Sequence, residues 1–488
     1  MRDENISNGP LYEKLMAYGA SGYYGFHMPG HKRHMGGTGI PYQIDITEIE
    51  GFDDLHHPQK NGILVQAQER AARLYKADET HFLINGSTAG ILSAISGCTR
   101  PEGQILLARN SHRSAYHAAG LSKLQIWYIY PQFLEELWIN GGILSEDVEK
   151  SLAEHREIQA VFITSPTYEG ICLNVRAIAE TCHKYGVPLI VDQAHGAHFP
   201  FSSYFPEDAL TAGADVVIQS VHKTLPALTQ TALLHMQGEL VDRERLHYYL
   251  SVYQSSSPSY VLMASIDNCM EQIEQQGQTL FAAYTKRLEN FRDSCGKLKR
   301  LKLVGKEIIG RAGIWDFDNS RLVIYAQKNE ISGYELSRRL LMQYRLQMEM
   351  ATNLYVTGIS SVSDREEDFW QLNHALYELE YSLDTDKRTK RIDQPGDGRN
   401  YELSKTTSAL PLGMALEQEK EWLGVSQCQN RICGAYLYLY PPGIPLVAPG
   451  EILTEQICSI LKTSVAAGHR LHGLDSNGRI AVLKESSF

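Results

Sequence analysis

The chain has 488 residues, 43% of them hydrophobic, which is enough for a large buried core and for two to four domains. Its 46 Lys and Arg against 57 Asp and Glu leave a formal charge of −11. With no basic block, this argues against a nucleic-acid partner and leaves basic small molecules open. No apolar leader opens the sequence, no apolar run reaches the ~18 residues of a membrane span, and the eight cysteines form no CxxC pair, so a cytoplasmic protein with reduced thiols is expected.

In chain order, residues 1–60 read as an irregular arm, with FHMPGHKR at 26–33. A helix is predicted from 61, with Ile63, Ala67, Arg70, Ala71 and Leu74 near one face. A strand at 81–85 runs into GSTAG (86–90) and a second helix. Apolar strands at 104–110, 160–166, 187–195 and 214–224 follow, each ending in polar residues, with a helix about NVRAIAETCHKYG between the second and third. This alternation predicts an α/β fold with a mostly parallel sheet. Past about 270 comes a long helical stretch, then RLVIYAQ and LYVTGIS flanking a helix at SGYELSRRLLMQY. The expected division is a large domain at 61–290, a smaller α/β domain at 291–384, a linker at 385–400, and a C-terminal α+β domain at 401–488 with a terminal helix.

The chemistry sits in four loops at strand C-termini, where open α/β sheets bind ligands. Lys223 follows an apolar strand, and its amine can form an imine with an aldehyde cofactor. Asp192 closes the strand VPLIVD, where a carboxylate can keep a pyridine nitrogen protonated. Ser87 and Thr88, at a Gly-rich helix start, can receive a phosphate. His112 can stack on a flat ring. Singly, each has a plainer reading: a loop lysine, a helix-capping Asp, N-cap hydroxyls, a solvated His. On successive strands they make the layout of a pyridoxal-phosphate (PLP) site.

The segments FHMPGHKR, DITEIEGFDDLHHP, NGSTAG, RNSHRSAYH, VDQAHGAHF, SVHKTLPALTQ, SSPSYVLMASID and YPPGIPLVAPGE resemble, in order and over about 20–470, the Orn/Lys/Arg decarboxylase family, PLP enzymes of the aspartate aminotransferase fold. The resemblance implies that Lys223 carries PLP as a Schiff base, Asp192 partners the pyridine nitrogen and His112 stacks on the ring. It assigns phosphate binding to Ser87, Thr88, Ser220 and His222, and the ring's other face to Ala194 and His195. Long family members commonly carry Trp where His195 stands, and an acidic or small residue where Gln193 stands. The chain resembles the short form, without the receiver-like N-terminal domain.

The family's dimer implies shared sites, to which Ser256, Ser257 and Ser259 would contribute from the partner; alternatively Ser257 caps a helix beside Pro258. His27, His31 and Lys32 would line the substrate entrance or be structural. The implied reaction is α-decarboxylation of a basic L-amino acid, arginine first (giving agmatine), then lysine or ornithine, feeding polyamine synthesis. Glu451 is a candidate for the distal cation, or else a helix N-terminal residue supporting the last helix. Two rivals remain: an aminotransferase or lyase, for which Arg311 or Arg321 would fix the α-carboxylate, and a non-catalytic regulator. No metal site is expected.

Overall fold

The computed structural model describes residues 24–26, 53–57, 59–327, 330–385, 403, 405–439, 443–466 and 471–484. The candidates His27, His31 and Lys32 and the 386–400 part of the expected linker lie outside these. After β1 (Tyr24–Phe26), the chain builds α1 (Ile63–Tyr75), β2 (Glu79–Leu83), α2 (Gly86–Cys98), β3 (Gln104–Ala108), α3 (Arg113–Leu121), β4 (Gln125–Ile129), β5 (Ile158–Thr164), α4 (Val175–Lys184) and β6 (Leu189–Asp192). It continues with β7 (Val216–Gln219), a single helical turn α5 (Val221–Thr224), β8 (Ala232–Met236), α6 (Arg243–Tyr253) and the long α7 (Tyr260–Cys295).

Strands β2 to β8 form one sheet in the order β2-β8-β7-β6-β5-β3-β4. The pairs from β7 through β6, β5 and β3 to β4 are parallel, and β8 is antiparallel to both its neighbours. The expected strand at 214–224 stops at Gln219 and turns helical, which brings Lys223 back over the sheet edge.

Period-two alternation divides each central strand between two apolar layers. In β3, Leu106 and Ala108 belong to one core and Ile105 and Leu107 to the other. In β5, Val161 and Ile163 face the first and Ala160 and Phe162 the second. Helix α1 uses Leu64, Ala67, Gln68, Ala71, Ala72 and Tyr75 as its buried face. The expected anchor Ile63 is 53% exposed, because the packed stripe lies one position further round the helix.

A second sheet follows: β9 (Leu301–Leu303), β10 (Arg321–Ala326), then, after α8 (Gly333–Tyr344) and β11 (Leu346–Met348), β12 (Met350–Ala351) and β13 (Tyr355–Ile359). Its order is β9-β10-β13-β12, all antiparallel, and β1 pairs in parallel with β11. Ser332 caps α8, its side chain accepting from the Glu335 amide at 3.0 Å. No helix among the described residues is long and apolar enough to cross a membrane.

The C-terminal part is a set of short strands around a helix at Glu455–Ala466, and its last described element is the strand Ile480–Leu483, not the expected terminal helix. It docks on α3, where Gly120 lets the chain come close: a Cβ there would lie 2.5 Å from Leu412 Cδ2. A buried ion pair pins the contact. Arg109, just past β3, donates from Nη2 to Glu451 Oε2 at 3.2 Å and to the Leu446 carbonyl at 3.0 Å, and from Nη1 to the Pro445 carbonyl at 2.8 Å. Glu451 Oε1 accepts from Thr406 Oγ1 at 3.0 Å, and both partners of the pair are 1% exposed. Both sequence readings of Glu451 are thereby corrected. It sits outside the last helix, and its carboxylate is spent on Arg109 and not on a ligand.

Candidate active site

The C-terminal edges of the parallel strands open onto a cavity of about 460 Å³, within the usual range for a small-molecule site. Ser87, Thr88, His112, Asp192, Ala194, His195, Ser220, His222 and Lys223 all line it. Register explains the convergence. Asp192 ends β6 with Thr164 of β5 on one side and Ile218 of β7 on the other, and Lys223 lies five residues beyond Ile218 in the turn that β7 feeds.

Asp192 is 4% exposed, and its Oδ1 accepts from the Ala194 amide at 3.1 Å. Burial raises its pKa, and the neighbouring Lys223 works against that rise. Lys223 shows the converse: burial lowers its pKa, opposed by the Asp192 carboxylate. Each group disfavours its own charge by leaving water and favours the other's by proximity. Lys223 Nζ lies 3.1 Å from His195 Nε2. Burial, then the nearby Lys223 and Arg321, hold His195 well below the usual histidine range, so its ring is neutral beside the amine.

At one end of the cavity, Ser87 Oγ and Ser220 Oγ are 2.6 Å apart. The α2 N-terminus behind them has no side-chain cap, which leaves its first-turn amides for an anion. His222 Nδ1 donates to the Thr231 carbonyl at 2.7 Å, which fixes its ring. His112 caps α3 with Nδ1, accepting from the Ser114 amide at 3.3 Å, so its orientation is set by the helix it starts. Burial, then Lys223 and Arg113, push its pKa down to about 3.

The residues fit pyridoxal phosphate. A hydroxyl-lined helix start suits the phosphate, a carboxylate on the cavity wall suits the pyridine nitrogen, and an amine of lowered pKa suits the aldehyde. Buried polar atoms also stand without a protein partner around the cavity: His195 Nδ1, Thr164 Oγ1 and Asn110 Oδ1.

Other expected residues fall elsewhere. Ser259, not Ser257, caps α7, accepting from the Leu262 amide at 3.4 Å. Ser256 and Ser257 are exposed and do not line this chain's cavity. Arg311 pairs with Glu136 at the surface. Arg321 is fully buried, donates from Nη2 to the His195 carbonyl at 2.9 Å, and does not line the cavity. The turn after β5 was the main omission: Thr167, Tyr168 and Glu169 line the cavity together with Met350, Thr352 and Tyr355 of the second sheet. The signal was present, since TSPTYEG is a polar run at a parallel strand's C-terminus.

Residues 9–323 match the major domain of the Orn/Lys/Arg decarboxylase family, and residues 405–479 match its C-terminal domain. The chain is 32% identical to an arginine decarboxylase of Halalkalibacterium halodurans, covering 98% of both chains. It is 30% identical to an arginine decarboxylase of Bacillus subtilis, again over 98% of both. Among solved structures, lysine decarboxylase A from Pseudomonas aeruginosa superposes with a TM-score of 0.75 at 21% identity, covering 97% of this chain and 80% of that one, a likeness of fold.

The His112 environment has a measurable consequence. Its pKa of about 3 lies below the ~6.5 of an unfolded histidine, so the unfolded chain takes up a proton first as pH falls. The contribution of His112 is therefore fully present above about pH 6.5 and is lost progressively toward pH 3. In the cofactor-free protein the His112 Cε1–H resonance, assigned by its absence in His112→Asn, should keep its neutral-imidazole position from about pH 8 to about pH 5. A titration centred near pH 6.5 would contradict this burial.

Proposed function

The chain belongs to the Orn/Lys/Arg decarboxylase family, and from that membership we propose that it is an arginine decarboxylase whose PLP is carried by Lys223. It is a PLP-dependent decarboxylase of basic amino acids. The observation that carries the site assignment is the placing of Lys223, Asp192, His112 and the Ser87–Ser220 pair on one cavity. Arginine is favoured because the relatives matching nearly the whole chain at 28–32% identity include four arginine decarboxylases, whereas the lysine decarboxylases among the relatives match at 23–27%.

Bound PLP supplies an aldehyde for the substrate amine and a ring that takes up the electron pair left when carbon dioxide departs. The residues of the chain orient and stabilise. Lys223 Nζ would be the amine that holds the cofactor's aldehyde carbon. Asp192 holds the proton on the pyridine nitrogen. Ser87, Thr88, Ser220 and His222 would hold the phosphate, and His112, Ala194 and His195 would pack against the ring. Ile91, Met350, Leu439, Ile444 and Leu446 give the cavity its apolar patches.

No arginine among the described residues lines the cavity. Among the described lining residues, none is the guanidinium clamp an aminotransferase would use on the α-carboxylate, which we take as favouring its loss. We further read exposed Ser256 and Ser257 as contacts to the cofactor site of a second copy, in a homodimer or higher oligomer. All eight cysteines are free, seven of them buried, in keeping with a reducing cytoplasm.

The test is carbon dioxide release from arginine, lysine and ornithine in parallel, without an oxo-acid acceptor. Arginine should turn over fastest. Lysine outpacing arginine would overturn the substrate, and no release from any of the three would overturn the decarboxylase. For the shared site, replacing Ser256 and Ser257 together by Ala should weaken PLP binding about tenfold, although neither lines its own chain's cavity. An unchanged Kd for PLP would contradict the contribution of a second copy.

A further inference from the structure

Among the described residues that line the cavity, two carry carboxylates: Asp192 and Glu169. Asp192 sits beside Lys223, where the cofactor ring belongs. Glu169 stands on the turn after β5, against the second sheet, and nothing in the chemistry described so far employs it. A buried carboxylate is costly unless its charge is met. Burial does raise the Glu169 pKa, and the charges and dipoles opposing that rise are its own backbone amide, Tyr355, Thr167 and Arg321.

The surroundings of Glu169 are built to hold a carboxylate in one orientation. Tyr355 Oη donates to Oε1 at 3.0 Å, and Thr167 Oγ1 donates to Oε2 at 3.1 Å. Tyr355 comes from β13 and Thr167 from the turn itself, so the side chain is gripped from both sheets. The backbone is fixed too. The Gly170 amide closes the turn on the Thr167 carbonyl at 3.0 Å, and Gly170 has φ +98 and would place a Cβ 2.7 Å from Arg321 Cγ, so only glycine fits there. Each carboxylate oxygen accepts about two hydrogen bonds. With Tyr355 on one oxygen, Thr167 on the other and the residue's own backbone amide nearby, the carboxylate still has acceptor capacity, and a planar guanidinium can meet it with parallel N–H donors.

We propose that Glu169 reads the distal cation of the substrate, receiving the guanidinium of arginine in a bidentate pair and so determining specificity. This rests on the reading of the chain as an arginine decarboxylase. It replaces Glu451, whose carboxylate is committed to Arg109. Decarboxylation leaves the guanidinium unchanged, so Glu169 acts by binding and alignment, and its loss penalises substrates according to their charge.

The experiment compares kcat/KM for arginine and for citrulline, its neutral near-isostere, in wild-type holoenzyme and in Glu169→Gln, with PLP content followed by absorbance. Wild type should prefer arginine strongly. In Glu169→Gln, arginine should lose about 100-fold or more while citrulline is unchanged or improved, so that the preference collapses with PLP still bound. Equal losses on both substrates would overturn the proposal in favour of a structural role, and so would a retained arginine preference. If Glu169→Gln does not hold PLP, Glu169→Asp decides: it keeps the charge and should keep part of the arginine preference, and loss of that preference would overturn the proposal. Wild type inactive on every basic amino acid would instead overturn the decarboxylase reading itself, a result separable because it is seen without any substitution.

Discussion

The partly buried placing of Lys223 beside Asp192 is the constraint on which the rest depends. An amine in water at neutral pH is protonated and a poor nucleophile; burial lowers the Lys223 pKa, which favours the free amine, while Asp192 opposes that shift. Burial alone would also push Asp192 toward its neutral form, and the adjacent amine opposes that. Neither group could be placed this way without the other, and both depend on β6 and β7 ending level in a parallel sheet.

That burial is supplied by three separate parts of the chain. The large sheet offers the strand ends. The second sheet contributes Met350, Thr352 and Tyr355, and the C-terminal part contributes Leu439, Ile444 and Leu446. The C-terminal part is held by Arg109–Glu451, a pair 1% exposed on each side, with hydrogen bonds to backbone carbonyls and to Thr406. Such a pair is of little net worth against apolar residues of the same shape. Breaking it leaves a buried charge and costs about 3–5 kcal/mol. It therefore specifies how the cavity roof docks more than it adds stability.

Much of this was legible in the sequence because buried parallel strands are apolar runs whose last residues turn polar. Asp192, Lys223, His112 and Ser87 stood out for that reason, and each lines the cavity. What was hidden has physical causes. Strand β8 lies one strand in from the sheet edge and is antiparallel, and ALLHM reads like any apolar run, so its direction needed the structure. Glu451 sits in a loop whose partner, Arg109, is 342 residues distant, a separation no local pattern encodes. Ile63 and Leu64 are both apolar neighbours at a helix start, and packing against the sheet selects between them. Glu169 follows a strand just as Asp192 does, but its meaning comes from Tyr355 on the other sheet.

The account stands most directly on the covalent partner of the cofactor. Holoenzyme reduced with borohydride, digested and mapped by mass spectrometry should carry a single pyridoxyl group, on Lys223 Nζ. The same adduct on another lysine, or no adduct in protein that binds PLP and releases carbon dioxide, would contradict the claim that this buried amine is the reacting group.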